Sequence, residues 1–142
     1  MKDVRLLDIN SNTGKLTFNL RGAKEQVSGR NALLQLITLN ILNARGSNVY
    51  NVNKGNSVAS LIGGTYNKDE ADVVKTLIAL AIDEVEQQII QEQNAINFSA
   101  DKLDEKLKSM EVYKVDYNEN ESSWDVKILV KTAANNIGII RL

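Results

Sequence analysis

Asn31 to Gly64 reads NALLQLITLNILNARGSNVYNVNKGNSVASLIGG. Leu33, Leu34, Leu36, Ile37, Ile41 and Leu42 recur at spacings of one, three and four. That spacing predicts a helix whose apolar face is wider than a surface helix needs, so it is covered on more than one side. The helix starts near Ser28 or Arg30; Asn40 and Asn43 interrupt its face late, and Gly46 supplies a stop. Ser47 to Asn56 is rich in Asn and Gly, with Val49, Tyr50 and Val52 among them, and reads as an extended loop. Asn56 or Ser57 caps a short helix, Val58 to Ile62, which Gly63 and Gly64 end. The stretch holds no cluster of reactive groups and reads as a piece built to be packed against something.

Downstream, Asn67 or Asp69 opens the longest helix, about Glu70 to Asn94. Val73, Val74, Leu77, Ile78, Leu80, Ala81, Val85 and Ile89 follow a helix period and a loose heptad. The tail from Glu84 is polar apart from Val85, Ile89 and Ile90, so it is either a solvated end or a partner-facing surface. Ser99 caps a further helix, Ala100 to Met110, with Leu103, Leu107 and Met110 as its apolar line. Then the character changes. Val112, Tyr113, Val115 and Tyr117 form one strand and Asn118 to Ser123 a turn. Trp124, Val126, Ile128 and Val130 alternate with Asp125, Lys127 and Lys131, the cleanest strand signal in the chain. After a turn over Thr132 to Asn136, Ile137 to Leu142 is a last, apolar strand with a bare edge. Upstream, Val4 to Ile9 and Leu16 to Leu20 flank an Asn/Gly turn and read as a β-hairpin. The expected fold is α+β, one domain over residues 1–142. It has an N-terminal β-hairpin, central antiparallel helices and a C-terminal three-stranded antiparallel sheet.

Composition narrows the chemistry. The chain has 142 residues, enough to bury about 70% of its unfolded surface. It has no Cys, His or Pro. That removes disulfides, thiol nucleophiles, imidazole bases and the common zinc sites. A net charge of −1 gives no general attraction to nucleic acid or to an anionic membrane. MKDVRLLDIN lacks a signal-peptide core, and no apolar run approaches the length of a spanning helix.

The charged clusters read as ordinary surface. Asp83, Glu84 and Glu86 raise the idea of a paired-carboxylate glycosidase, yet residues two apart on a helix do not face each other. Asp69, Glu70 and Asp72 fit the favourable acid of a helix N-terminus better than a metal site. The glycines have neither phosphate-loop nor dinucleotide spacing. Lys15, Arg21, Lys24 and Arg30 are a basic scatter. Tyr113, Tyr117 and Trp124 are core or interface aromatics before they are a base-stacking platform. No catalytic, metal-binding or cofactor-binding residue is assigned, and the chain is read as a non-enzyme.

The order of elements and the sequence from Asn31 to Ile90 resemble the baseplate wedge and sheath-initiator family of contractile phage tails. Its members include a protein once taken for a tail lysozyme. Ala32 to Ile37 with Ile41-Leu42 matches the family's first helix, and Arg45-Gly46-Ser47 its turn. Gly55 to Val58 with Leu61-Ile62-Gly63 matches the second part. Ile78, Ala81-Ile82 and Glu86 to Ile89 match the third. The family's Glu-Pro-Arg signature falls on Glu86-Gln87-Gln88, so the Glu remains while the Pro and Arg do not. Without the proline the helix can run on to about Asn94.

The resemblance implies a structural virion component of the tail baseplate, assembled in the host cytoplasm, or the same part of a related contractile injection system. Its helices would join a bundle with other wedge proteins near the tail tube. Its C-terminal strands would template the first ring of tail sheath protein by strand exchange, a form of β-augmentation. The partner-binding residues expected on this reading are Leu33, Ile37, Glu86, Gln88, Trp124, Val126, Ile128, Ile137, Ile139 and Leu142. The alternatives are a peptidoglycan hydrolase, which needs a carboxylic acid of raised pKa in a cleft, and a small assembly adaptor unrelated to tails.

Overall fold

A computed structural model describes residues 3–4, 7–9, 16–18, 26–43 and 55–142. It is a mixed helix and strand fold with the helices in the centre of the chain and an antiparallel sheet at its C-terminus. Near the N-terminus, β1 (Asp3–Val4) pairs antiparallel with β4 (Gln26–Val27), and β2 (Leu7–Ile9) with β3 (Leu16–Phe18). The β2–β3 pairing joins the two runs expected to form the hairpin; the turn between them lies outside the described residues. The sequence carries no strand signal for the β1–β4 pair, because β4 lies in the polar stretch from Gly22 to Gly29.

Helix α1 spans Arg30–Leu42 and starts after Gly29, whose φ of 66° suits a residue without Cβ. Leu33, Leu34, Ile37 and Ile41 are buried, while Leu36, Leu39 and Leu42 keep more than a third of their surface exposed. Asn43 closes the described part of the helix; the expected stop at Gly46 and the loop over 44–54 lie outside the described residues. Asn56 is the joint to α2 (Val58–Ile62). Buried, it donates from Nδ2 to the carbonyl of Asn40 at 2.7 Å and accepts the Val58 N–H at 3.0 Å. One amide thus satisfies the end of one helix and the start of the next.

Helix α3 spans Lys68–Asn94. It opens on a full capping box: Asn67 accepts the Glu70 N–H at 2.9 Å, and Glu70 accepts the Asn67 N–H at 3.2 Å. Its buried line is Val74, Ile78, Ala81, Ile82, Val85 and Ile89, extended by Gln93.

The segment after α3 departs from expectation. Ala100–Glu105 is a short 3₁₀ turn, not an α-helix, and Leu107 to Met110 already belong to the first strand of the sheet, β5 (Leu107–Asn118). The cause is register. β5 breaks step with its neighbour between Leu107 and Ser109 and again between Val112 and Lys114. Each extra residue lets side chains three apart share a face. Leu107 and Met110 are therefore both buried, at a spacing that imitates a helix.

β6 (Ser123–Thr132) is the central strand, between β5 and β7 (Ile137–Arg141). Trp124, Val126, Ile128, Val130 and Thr132 are buried on its inner face, towards the helices, as the alternation requires. The outer face carries Lys114 and Asp125, paired at 2.8 Å, with Arg141 Nε 3.4 Å from the other Asp125 oxygen. Lys114 holds the Asp125 carboxyl below its ordinary range, and Asp125 raises the Lys114 ammonium in return. α1 lies over β7 so closely that a Cβ at Gly138 would stand 3.0 Å from the Leu34 methyls.

Candidate interaction site at the free sheet edge

The ladder between β6 and β7 fixes which backbone groups face outward. Gly138 is opposite Val130, and Ile140 opposite Ile128. Beyond the strand at either end, Leu142 N–H donates to Val126 O and Thr132 N–H to Asn136 O, both at 2.9 Å. In an antiparallel pair, hydrogen-bonded and non-hydrogen-bonded positions alternate. So Gly138 and Ile140 spend their N–H and C=O groups on β6. Those of Ile137, Ile139 and Arg141 point away from the sheet. Among the described residues one of these groups is engaged: Arg30 Nη1 donates to Ile137 O at 2.7 Å.

An apolar groove lies beside this edge. The end of α1 (Ile41, Leu42), α2 with its glycine (Ala59, Ile62, Gly63) and the end of β7 (Arg141, Leu142) enclose about 740 Å³. The recess therefore lies at the C-terminal end of β7. A further strand hydrogen-bonded to β7 would bring its inward side chain beside Leu142 to that groove.

The other edge is closed differently. At the start of β5, Gln93 accepts the Leu107 N–H at 2.7 Å and donates to the Glu105 carbonyl at 3.0 Å. Two turns earlier on α3, Glu86 accepts the Met110 N–H at 2.8 Å. The helix thus takes up strand groups that an edge would leave open. Two bulges interrupt the same strand, a further obstacle to a neighbour.

The expected partner-binding residues separate into two sets. Leu33, Ile37, Val126 and Ile128 are fully buried, and Trp124 is 8% exposed, all packed into this chain's own core. They hold the sheet and helices together and present no surface. Ile137 is exposed, Ile139 and Leu142 are half-buried, and these three gather at the free edge. Glu86 is engaged with β5, and Gln88 is half-buried on α3. Trp124 instead builds a ring cluster with Tyr117 (4.9 Å between centroids) and Tyr66 (6.0 Å), and its indole Nε1 has no hydrogen-bond partner.

A second exposed apolar feature lies on α3. Val73, Leu77 and Leu80, at steps of four and three, keep 63%, 44% and 60% of their surface. The sequence placed these residues in one helix period and loose heptad with Val74, Ile78 and Ala81; it did not show which stripe the chain covers itself. Arg30, Asn56 and Gln93 were not singled out for the roles they play. For Gln93 a signal exists, because it continues the buried line through Ile82, Val85 and Ile89 at a helical step.

Of the acidic clusters, Asp69 and Glu70 lie in the first turn of α3 and Glu70 serves the cap. Among the described residues no group of three or more Asp or Glu is arranged to hold a metal ion. Lys15, Arg21 and Lys24 lie outside the described residues. No helix among the described residues is long and apolar enough to cross a membrane. Comparison with protein-family models, with curated proteins and with solved structures gave no match to this chain.

Proposed function

We propose that this chain is a structural component of a contractile-tail baseplate. On this reading it joins neighbouring wedge proteins through its helices and takes up a strand of the sheath protein along β7, so that the first sheath ring can add. The observation that carries the reading is the coincidence, among the described residues, of an open strand edge with an apolar groove at its end. An edge alone is common and is usually blunted. An edge with a lined recess for alternate side chains is what β-augmentation uses. The exposed Val73, Leu77 and Leu80 stripe supports the helical half of the reading, since steps of four and three are how one helix meets another. The resemblance over Asn31 to Ile90 supplies the particular machine.

The test removes one outward N–H and leaves the rest of the ladder intact. Ile139 presents its N–H away from β6, so Ile139→Pro costs no bond to β6, and proline is tolerated on an edge strand at such a position. The variant is expected to fold, with circular dichroism and melting close to the parent, while tail sheath protein no longer polymerises on baseplates assembled with it. Normal sheath growth on baseplates carrying folded Ile139→Pro would sink the proposal.

A further inference from the structure

α1 runs alongside β7 in the same direction. Arg30 reaches Ile137, Leu34 lies over Gly138, and Ile41 and Leu42 line the groove with Arg141 and Leu142. The lengths agree: eleven residues of helix rise about 17 Å, as do five residues of strand. The helix therefore treats the two ends of the edge oppositely. At its start a guanidinium lies against the edge; at its end the space is open and apolar.

We propose that Arg30 ends the ladder, so that a strand taken up at β7 pairs from Ile139 to Arg141 and not at Ile137. This rests on the reading of β7 as the accepting edge. An incoming amide nitrogen would have to sit about 2.9 Å from the Ile137 carbonyl. Arg30 Nη1 is already there, at 2.7 Å. The incoming backbone would run about 4.8 Å from β7, through the space the guanidinium occupies. Arg30 cannot easily move aside as a whole, because Leu33 and Leu34 anchor the first turn of α1 in the core. The occupant is an extended segment of another protein, not a helix, since only a strand satisfies the outward groups of Ile139 and Arg141. Its inward side chains are apolar, to fill the groove beside Leu142. Its outward side chains are acidic, because Lys127, Lys131 and Arg141 outnumber Asp125 on the outer face of β6 and β7.

The test uses the full chain, isotopically labelled, with two blocked synthetic peptides of alternating valine and glutamate, five and nine residues long. Amide exchange is followed by NMR with peptide at millimolar concentration. In the parent, Ile139 and Arg141 amides gain protection and Ile137 does not, and the two peptides bind within about twofold of each other. In Arg30→Met, which keeps a chain of similar length without donors, protection spreads to Ile137. The longer peptide then binds about fivefold tighter than the shorter, the worth of about one hydrogen bond. Arg30→Ala gives the same pattern if methionine disturbs the helix start. Protection of Ile137 in the parent, or a pattern in both variants unchanged from the parent's, overturns the role of Arg30 while leaving strand addition standing. No gain at any β7 amide in parent or variants overturns strand addition at β7 as well.

Discussion

Gln93→Met isolates the hydrogen bonds that hold the start of β5. The side chain is 4% exposed, accepts the Leu107 N–H at 2.7 Å and donates to the Glu105 carbonyl at 3.0 Å. Methionine keeps the length and nearly the volume and offers neither bond. A buried backbone group left without a partner costs about 1–3 kcal/mol. Leu107 is buried and bears that cost in full, whereas Glu105 is half-buried and its carbonyl can recruit water. The expected loss is therefore about 2–3 kcal/mol, or a fall in Tm of about 5–10 °C for a chain of this size. Urea denaturation reads it directly, and the slope should stay at the parent value, because the surface exposed on unfolding hardly changes. Gln93→Glu adds a check of sign. Its carboxylate can still accept from Leu107 but faces the Glu105 carbonyl with negative charge; only the protonated acid donates there. The folded form thus raises that pKa. Stability is regained below the ordinary carboxylate range and lost as pH rises through the folded value. A Gln93→Met protein within about 0.5 kcal/mol of the parent, with the same slope, would refute this account of the edge.

Asp104 accepts from Asn136 Nδ2 at 2.7 Å and Thr132 Oγ1 at 2.8 Å, and these bonds hold its carboxyl below the ordinary range. Its contribution is present above the unfolded carboxylate pKa and fades as pH falls through the folded one, so urea midpoints measured from pH 7 to pH 3 should fall less in Asp104→Asn than in the parent. On α3, Ile78→Ala should cost about 2–5 kcal/mol by denaturant unfolding, because Ile78 is fully buried. Leu80→Lys, at a position 60% exposed, should stay within about 0.5 kcal/mol, which separates the stripe the chain buries from the one it leaves bare. Gly138→Val should cost about 1–3 kcal/mol in the same assay, since even a Cβ would stand 3.0 Å from the Leu34 methyls.

Much of the fold was readable where one period dominates. The α2 limits came out as expected, and the alternation from Trp124 to Val130 marked the central strand and its inner face. α3 does run to Asn94, the end the sequence predicts. The reading failed where two periods coincide. Leu103, Leu107 and Met110 are spaced for a helix, but a bulge puts Leu107 and Met110 on one face of a strand. A bulge leaves no residue signature here, and the partners that hold the segment are Gln93 and Glu86 on a different element.

The candidate site was only half readable, for a related physical reason. Hydrophobicity marks residues that avoid water but does not say whether the cover comes from the same chain. Leu33, Ile37, Val126 and Ile128 carry the same signal as Ile137, Ile139 and Leu142, yet the first four are sealed inside and the last three gather at the edge. What distinguishes them is topology. A sheet has two edges, and which one stays open depends on where the helices lie. Here α3 sends Glu86 and Gln93 into the start of β5, while among the described residues α1 meets the β7 edge with Arg30 and then opens onto an apolar groove. Closing the groove instead is therefore the sharper way to ask what the edge is for. Ala59→Phe on α2 fills part of the recess and breaks none of the hydrogen bonds along β7. A folded Ala59→Phe protein should lose strand uptake and retain its melting temperature within a few degrees. If uptake measured by β7 amide protection is unchanged, the incoming strand is held by backbone pairing alone and the groove has no part in it.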